Sequence, residues 1–395
     1  MRRIALPERP HWKQTANELG FQFHTIEGER YWDERGAYEF SLQQVEQHIE
    51  DPTAELHEMA IAVVNEAVRS EELLLKLGVP RAMWDLVLQS WERGDAHLYG
   101  RMDFSYDGIG PAKLLELNYD TPTSLYEASL FQWVWLEDQI KAGHLPKGAD
   151  QFNSLQDKLV LAFASIGKAL QKPLHLASVR GSVEDRGTVD YLRDCAVQAG
   201  LRTTVLDIED IGWDARNKEF VDLDNETIEL LFKLYPLEQM FEDSFAQNLK
   251  ESRIQLIEPA WKTVLSNKGL LPLLWERFPG HPNLLASHFE APEDASQAVP
   301  VGWVRKRLFS REGANIDMGL LDGSRVSSDG EYGQGPTILQ AVQPLPKFQD
   351  ENGVGGYALI GSWVVGDQPA GMGVREDDTL ITKDTARFVP HYIKD

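Results

Sequence analysis

Arg101-Met102-Asp103-Phe104 and Leu115-Glu116-Leu117-Asn118-Tyr119-Asp120 are the two runs that decide how this chain is read. In a strand, residues two apart share a face. Arg101 and Asp103 therefore point one way, Met102 and Phe104 the other. Glu116, Asn118 and Asp120 likewise share a face opposite Leu115, Leu117 and Tyr119. The intervening Asp107-Gly108-Ile109-Gly110 has the residue types of a hairpin turn. A single antiparallel register then sets Asp103 opposite Glu116 and Arg101 opposite Asn118. Two carboxylates, an amide oxygen and a guanidinium meet on one side of that hairpin. Such oxygen ligands suit Mg²⁺, which is commonly held by one or two carboxylates plus substrate phosphates. The fixed fork of arginine suits a phosphate or a carboxylate. Spacing alone favours a solvated face of charge pairs over a metal site.

At 395 residues the chain can bury more than one layer of core, and its length suggests about two or three domains. Its 42% hydrophobic and 26% charged content is that of a soluble globular protein. Met1-Arg2-Arg3-Ile4-Ala5-Leu6-Pro7 carries two positive charges but no apolar stretch of signal-peptide length. No run approaches a membrane span. The single cysteine, Cys195, excludes an intramolecular disulfide, and its amphipathic surroundings predict a buried structural thiol. A reducing cytoplasm is the expected location. The net charge of −23, from 39 Lys+Arg against 62 Asp+Glu, argues against a nucleic-acid partner. A field of this sign draws in cations such as polyamines, although solubility alone would account for it.

Val45, Ile49, Leu56, Met59, Val63, Ala67 and Leu74 recur at helical steps, predicting long helices over 42–78 punctuated by Pro52 and Pro80. Residues 172–179, 185–199 and 201–206 read as strand, helix, strand, a unit of a parallel α/β layer. Further strands are expected over 227–235 and 254–257, with a helix from Leu237 between them. Beyond residue 300 the pattern turns strand-rich, at 303–309, 337–342 and 357–365. The pattern by itself shows mixed α/β. There is no Walker loop and no nucleophile elbow. His57-Glu58 lacks the second histidine of a zinc helix, and the ten histidines form no metal cluster. Gly353-Val354-Gly355-Gly356 reads as a hairpin turn. The eleven tryptophans read as core or subunit packing, with a homodimer as an open expectation.

Arg-Met-Asp-Phe followed by Glu-x-Asn resembles the metal-binding hairpin of the glutathionylspermidine synthetase family, ATP-grasp ligases that join a carboxylic acid to an amine. Further motifs follow in family order: Glu258-Pro259-Ala260-Trp261, Ser266-Asn267-Lys268-Gly269-Leu270-Leu271-Pro272, Arg311-Glu312-Gly313-Ala314-Asn315-Ile316-Asp317 and Val374-Arg375-Glu376-Asp377. No one motif is diagnostic; their number and order carry the likeness. The resemblance implies an α/β (α+β) ATP-grasp fold with a preceding α/β substrate domain. A helical N-terminal segment over 1–100, a metal hairpin and substrate region over 101–260, and a nucleotide-binding region over 261–395 are expected, with interleaved lobes. Nothing resembles the amidase domain that some relatives carry.

The same resemblance implies ATP as co-substrate and two Mg²⁺ ions held by Asp103, Glu116 and Asn118. Lys268 and Lys306 match the lysines that clamp nucleotide phosphates. Gly313 lies in the small-residue phosphate loop, and Gln340 and Val342 in the segment that holds adenine. Arg101, Arg311 and Arg375 match arginines near the acid and the transferring phosphoryl group. Thr121, Thr123 and Glu238 fall at substrate positions. The implied partners are a small-molecule acid and an amine, with a glutathione-like acid and a polyamine as the leading pair; neither nucleic acid nor membrane is implied. Two departures stand out. The family commonly has Lys-Pro where this chain has Lys306-Arg307, placing an added charge beside the clamp. Thr121 and Thr123 replace serines, which puts glutathione itself in question. A binding protein for ATP or polyamine that has lost ligation, and a phosphotransferase using the same ATP site, remain open alternatives.

Overall fold

Tyr99–Ser105 (β1) and Lys113–Asn118 (β2) pair antiparallel with Arg101 opposite Asn118 and Asp103 opposite Glu116. This is the register expected from the alternation. One irregularity follows: beyond Asp103 the pairing shifts, so that Phe104 faces Leu114 and Leu115 is left as the extra residue of a bulge. The protein is described here by a computed structural model covering residues 1–394 apart from 27, 292, 296, 333 and 334, and apart from the side chain of residue 169.

The apolar face of the hairpin explains why its polar face is held so firmly. Met102, Phe104, Leu114 and Leu117 are buried in the largest core cluster, each side chain contributing about 1.5–3 kcal/mol by leaving water. Helix Asp51–Ala67 (α1) closes over this core with Leu56, Met59, Ala60, Val63, Val64 and Ala67. Pro52 was expected to interrupt the helical region and does not. A π-helical turn over Glu46–Glu50 leads directly into α1, and proline is tolerated in a first turn, where its missing N–H has no obligatory partner.

The next layer is a parallel sheet. Leu174–Ser178 (β3), Thr203–Asp207 (β4), Leu230–Leu234 (β5) and Gln255–Ile257 (β6) lie in the order β6-β5-β3-β4. All three pairings are parallel. Leu155–Ile166 (α2) and Val183–Gln198 (α3) cover one face, burying Leu159, Phe163, Leu192 and Cys195 against Leu174, Leu176 and Phe232. Leu237–Glu242 (α4) and Ala246–Glu251 (α5) lie between β5 and β6 in the chain.

Helix Leu270–Arg277 (α6) precedes a five-stranded antiparallel sheet. Its strands are Ser287–Phe289 (β7), Trp303–Arg307 (β8), Asp317–Gly319 (β9), Arg325–Ser327 (β10) and Thr337–Ala341 (β11), ordered β7-β11-β8-β9-β10. The chain then returns to the hairpin. Gly355–Val365 (β12) pairs with β1, and Gln368–Asp377 (β13) and Arg387–Val389 (β14) extend the sheet outward. Lys347–Gln349 forms a hairpin with β12 across the turn containing Gly353, as expected. Strands Arg2–Ala5, Gly36–Phe40 and His391–Ile393 form a small sheet joining the chain ends. The largest core draws on residues from 38 to 393, so the three expected regions share one core; their division is proposed as an account of the sequence, not of separate cores. Among the described residues no helix is long and apolar enough to cross a membrane.

Candidate functional site

The polar face of the hairpin opens into a cavity of about 250 Å³ where the central sheet, the parallel sheet and the five-stranded sheet converge. Arg101, Asp103, Glu116 and Asn118 line its hairpin wall. Lys268, Lys306 and Gln340 line the wall facing them, and Arg311, Gly313 and Arg375 a third. Thr121 and Thr123, on the loop after β2, also reach it. Residues scattered over more than 270 positions of sequence are thus gathered into one space.

Arg101 lies flat along its own strand. Its Nε and Nη2 donate to Asp103 Oδ1 and Oδ2 at 2.6 and 2.9 Å, and Nη1 donates to the Thr123 carbonyl at 2.6 Å. Room for it comes from Gly361 on β12, which faces Asp103; a Cβ there would sit 2.7 Å from Arg101 Cδ. On the opposite wall Lys268 Nζ lies 3.1 Å from Glu116 Oε2 and donates to the Ser310 carbonyl at 2.5 Å. Lys306 Nζ donates to Gln340 Oε1 and to the carbonyl of Leu115, both at 2.8 Å. That carbonyl belongs to the bulged residue of the hairpin. Burial would raise the Glu116 carboxyl, but Lys268 and Lys306 overcome it and lower the pKa to about 2. Burial pushes the Lys306 ammonium down to about 8, with Glu116 resisting.

The loop Ser310–Asn315 carries three left-handed residues, Glu312, Gly313 and Asn315, at φ 56°, 70° and 53°. At Gly313 a side chain is excluded twice over: by φ, and by the Thr382 carbonyl, which would lie 2.5 Å from a Cβ. Arg311 Nη2 donates to Glu238 Oε1 at 2.7 Å, and Arg375 Nη2 to the Lys383 carbonyl. Both arginines keep a buried Nε without a partner. Unsatisfied guanidinium N–H groups on a cavity wall suit an anion.

The metal expectation can be tested against the donors. Asn118 Oδ1 is buried and has no hydrogen-bond partner. It stands beside two carboxylates on the same face, one of them held well into its ionised range. An all-oxygen set with an orphaned amide oxygen fits a hard divalent cation completed by phosphates. No group of three or more His, Cys, Asp or Glu arranged for a metal occurs among the described residues, as befits a set whose third donor is an amide.

A family model described as glutathionylspermidine synthase preATP-grasp matches residues 3–394. The chain belongs to that family. It is 40% identical to a putative acid–amine ligase of Haemophilus influenzae over 99% of both chains. It is 26% identical to the trypanothione synthetase of Crithidia fasciculata, covering 86% of this chain and 54% of that one. It is also 26% identical to the bifunctional glutathionylspermidine synthetase/amidase of Escherichia coli, covering 88% and 58%. The chain thus spans little more than half the length of the last two. A solved glutathione synthetase-like effector from Globodera pallida, in apo form, superposes with a TM-score of 0.61 at 11% identity, covering 98% of both chains. The fold is therefore the ATP-grasp type expected.

Within this family member, two of the expected residues lie outside the cavity wall. Glu238 reaches the cavity only through Arg311 and itself lines a neighbouring one. Val342 packs behind the wall against the Val304, Ile316 and Ile381 cluster. Asp120 was expected on the ligand face beside Asn118. Strand β2 ends before it, and its carboxylate turns inward to the buried Lys233 and to the Leu237 N–H at 2.7 Å. Arg307, expected to add charge beside the clamp, points away: it donates to the Gly335 carbonyl at 2.6 Å, because neighbours on a strand alternate sides. The feature that motivated a binding-protein alternative therefore does not touch the cavity.

Sequence reasoning missed an acidic corner. Asp185 lines the cavity from the first turn of α3, its N–H capped by Ser182 Oγ at 3.2 Å. Nearby, burial raises Glu184 to about 8 and Glu127 to about 7. Tyr31 donates to Glu127 and lies 3.0 Å from Ser124 Oγ. Ser182 three residues before Asp185 is a capping signal that marks the start of α3, but nothing in the sequence says that this helix end faces the hairpin.

Proposed function

We propose that this chain is an ATP- and Mg²⁺-dependent acid–amine ligase that makes an amide, ADP and phosphate through an acyl phosphate. One observation carries the reading: an all-oxygen hairpin face and three arginines and two lysines share a single cavity. In such a reaction an oxygen of the acid attacks the γ-phosphorus of ATP and the bond to ADP breaks. The amine nitrogen then attacks the carbonyl carbon, the C–O bond to phosphate breaks, and the nitrogen gives up a proton.

Asp103, Glu116 and Asn118 would hold the metal, which when bound neutralises charge on the ATP phosphates. Lys268 and Lys306 pull nucleotide phosphates toward the hairpin. At about 4 Å and an effective dielectric near 20, each such unit-charge attraction is worth roughly 4 kcal/mol before desolvation. Arg311 and Arg375 present their free Nε to the acid carboxylate or to the oxygens of the transferring phosphoryl group, where charge builds as reaction proceeds. Gln340, assigned to the nucleotide base, accepts from the Lys306 ammonium at 2.8 Å. Asp185 lines the same cavity from the first turn of α3.

The names of the relatives support a small acid and a small amine as substrates, and the net charge favours a cationic amine. Glutathione with spermidine is the leading pair. The test is ADP release against a panel of acids and amines, followed by product mass. An amide formed only when ATP, acid and amine are all present is expected. A phosphorylated acceptor without amide, or tight ATP binding without turnover on any pair, would overturn the reading.

A further inference from the structure

The parallel sheet has a second opening. From β3 the chain winds to β4 on one side and then to β5 on the other. This reversal creates a topological switch point between the carboxyl ends of β3 and β5, where open α/β sheets bind ligands. Val179, just after β3, and Tyr235, just after β5, sit at that point. They line a cavity of about 310 Å³ on the face of the sheet away from α2 and α3. Val179 is also a wall of the ATP-side cavity, so the two spaces adjoin.

The walls are apolar: Phe220, Leu231, Met240, Leu249, Ile254 and Leu256. Apolar surface left facing a solvent-filled space is unfavourable, and a volume in the range of small-ligand sites gives it a use. The polar groups at its rim have one sign. Glu209 and Asp243 are exposed carboxylates, and no lysine, arginine or histidine lines the cavity among the described residues. Glu209 sits at the Val179 side, accepting from the Arg180 N–H at 3.2 Å. Phe245 lies 44% exposed at the rim, an aromatic surface available to a ligand.

We propose that this second cavity binds an organic cation with an apolar body the size of a phenyl ring or a hexyl chain. The body lies against Leu231 and Leu256, and the ammonium lies by Glu209 and Asp243 at the shared rim. There it faces the ATP-side cavity, as the amine of the ligation must. This last step rests on the ligase reading; occupancy of the cavity does not.

The test is calorimetric titration of the full chain, without ATP, using n-hexylamine and hexanoate as probes of equal apolar size. Hexylamine is expected to bind at least about tenfold more tightly, by the complementarity of its charge to the rim. Ala246→Trp, which fills the cavity from α5, is expected to abolish binding. Glu209→Gln with Asp243→Asn changes only exposed side chains, so its fold does not depend on filling the core, and is expected to erase the preference. Equal affinity for the two probes, no binding of either, or binding unaffected by both variants would overturn the proposal. Amine-dependent ADP release that ignores both variants would sink the cavity assignment and leave the ligase standing. Discriminating binding with no ADP release on any amine would do the reverse.

Discussion

The hairpin and the loop proposed to hold phosphate meet in the same cavity but are held by different means. Hairpin donors are fixed by strand register: β1 has a partner on each side, and its inward face is packed into the largest core. The loop Ser310–Asn315 is fixed by backbone conformation, with three left-handed residues and one close approach to the Thr382 carbonyl. Strand register tolerates a change of side-chain chemistry without moving the backbone. A loop of this kind does not tolerate even one methyl group. The hairpin should therefore fail chemically, and the loop geometrically.

The largest effect is expected at the hairpin. Glu116→Gln should lower turnover by about 10²–10³-fold, the scale of losing one charge-stabilising group, while thermal unfolding shifts little because the packing face is untouched. Asp103→Asn should lose as much activity and, unlike Glu116→Gln, lose stability as well. It strips the buried Arg101 of its partner, a change that costs about 3–5 kcal/mol. A Glu116→Gln enzyme with wild-type turnover at limiting Mg²⁺ would remove the hairpin from the mechanism.

The two kinds of cation should separate next. Lys268→Met should raise the Michaelis constant for ATP, whereas Arg375→Met should lower kcat, since the proposal has one act on ground-state ATP and the other on developing charge. Each loss should be on the order of a few kcal/mol. Identical, purely Michaelis-type defects in both would contradict the role given to Arg375.

On the loop side, Gly313→Ala should displace the phosphate loop, destabilising the protein by about 1–3 kcal/mol and weakening ATP without altering the dependence on metal. Normal ATP affinity in this variant would mean that the loop does not contact phosphate.

The smallest effect is one of pH. In the proposed clamp Lys306 must be cationic to hold phosphate, and burial lowers its ammonium to about 8 from the usual 10.5. The kcat/KM for ATP should therefore fall above about pH 8, and Lys306→Met should abolish that limb. Stability should move the other way. Between about 8 and 10.5 the unfolded lysine holds the proton that the folded one has lost, so the contribution of this residue rises with pH. Glu116 has the same sign at the acid end: its folded pKa is depressed, so its contribution is lost as the pH falls from about 4.5 toward 2. A flat kcat/KM profile between pH 7 and 9.5 would contradict the assignment to Lys306.

What could be read from the sequence follows the same division. Alternation placed Asp103, Glu116 and Asn118 together because a strand's period is local and its register is set by one short turn. The βαβ unit over 174–207 was legible for the same reason. Asp120 escaped, since where β2 ends depends on Lys233 and Leu237, more than a hundred positions away. The outward direction of Arg307 follows from strand alternation, but only once β8 is known to present Lys306 to the cavity. The acidic corner of Glu127, Glu184 and Asp185 is assembled by tertiary packing of α3 against the loop after β2, and no local pattern encodes it. The bulge at Leu115 was invisible as well, although the carbonyl of that residue accepts from Lys306.

Mn²⁺ binding in the presence of ATP, followed by electron paramagnetic resonance, tests the hairpin face most directly, with Mn²⁺ standing in for Mg²⁺. Asn118→Ala removes the orphaned amide oxygen and leaves both carboxylates. A loss of affinity of at least about tenfold is expected, the scale of one weakened ligand or ligand-supporting contact, with the fold unchanged. Mn²⁺ bound as tightly as in the wild-type protein would contradict the placement of the metal on the hairpin.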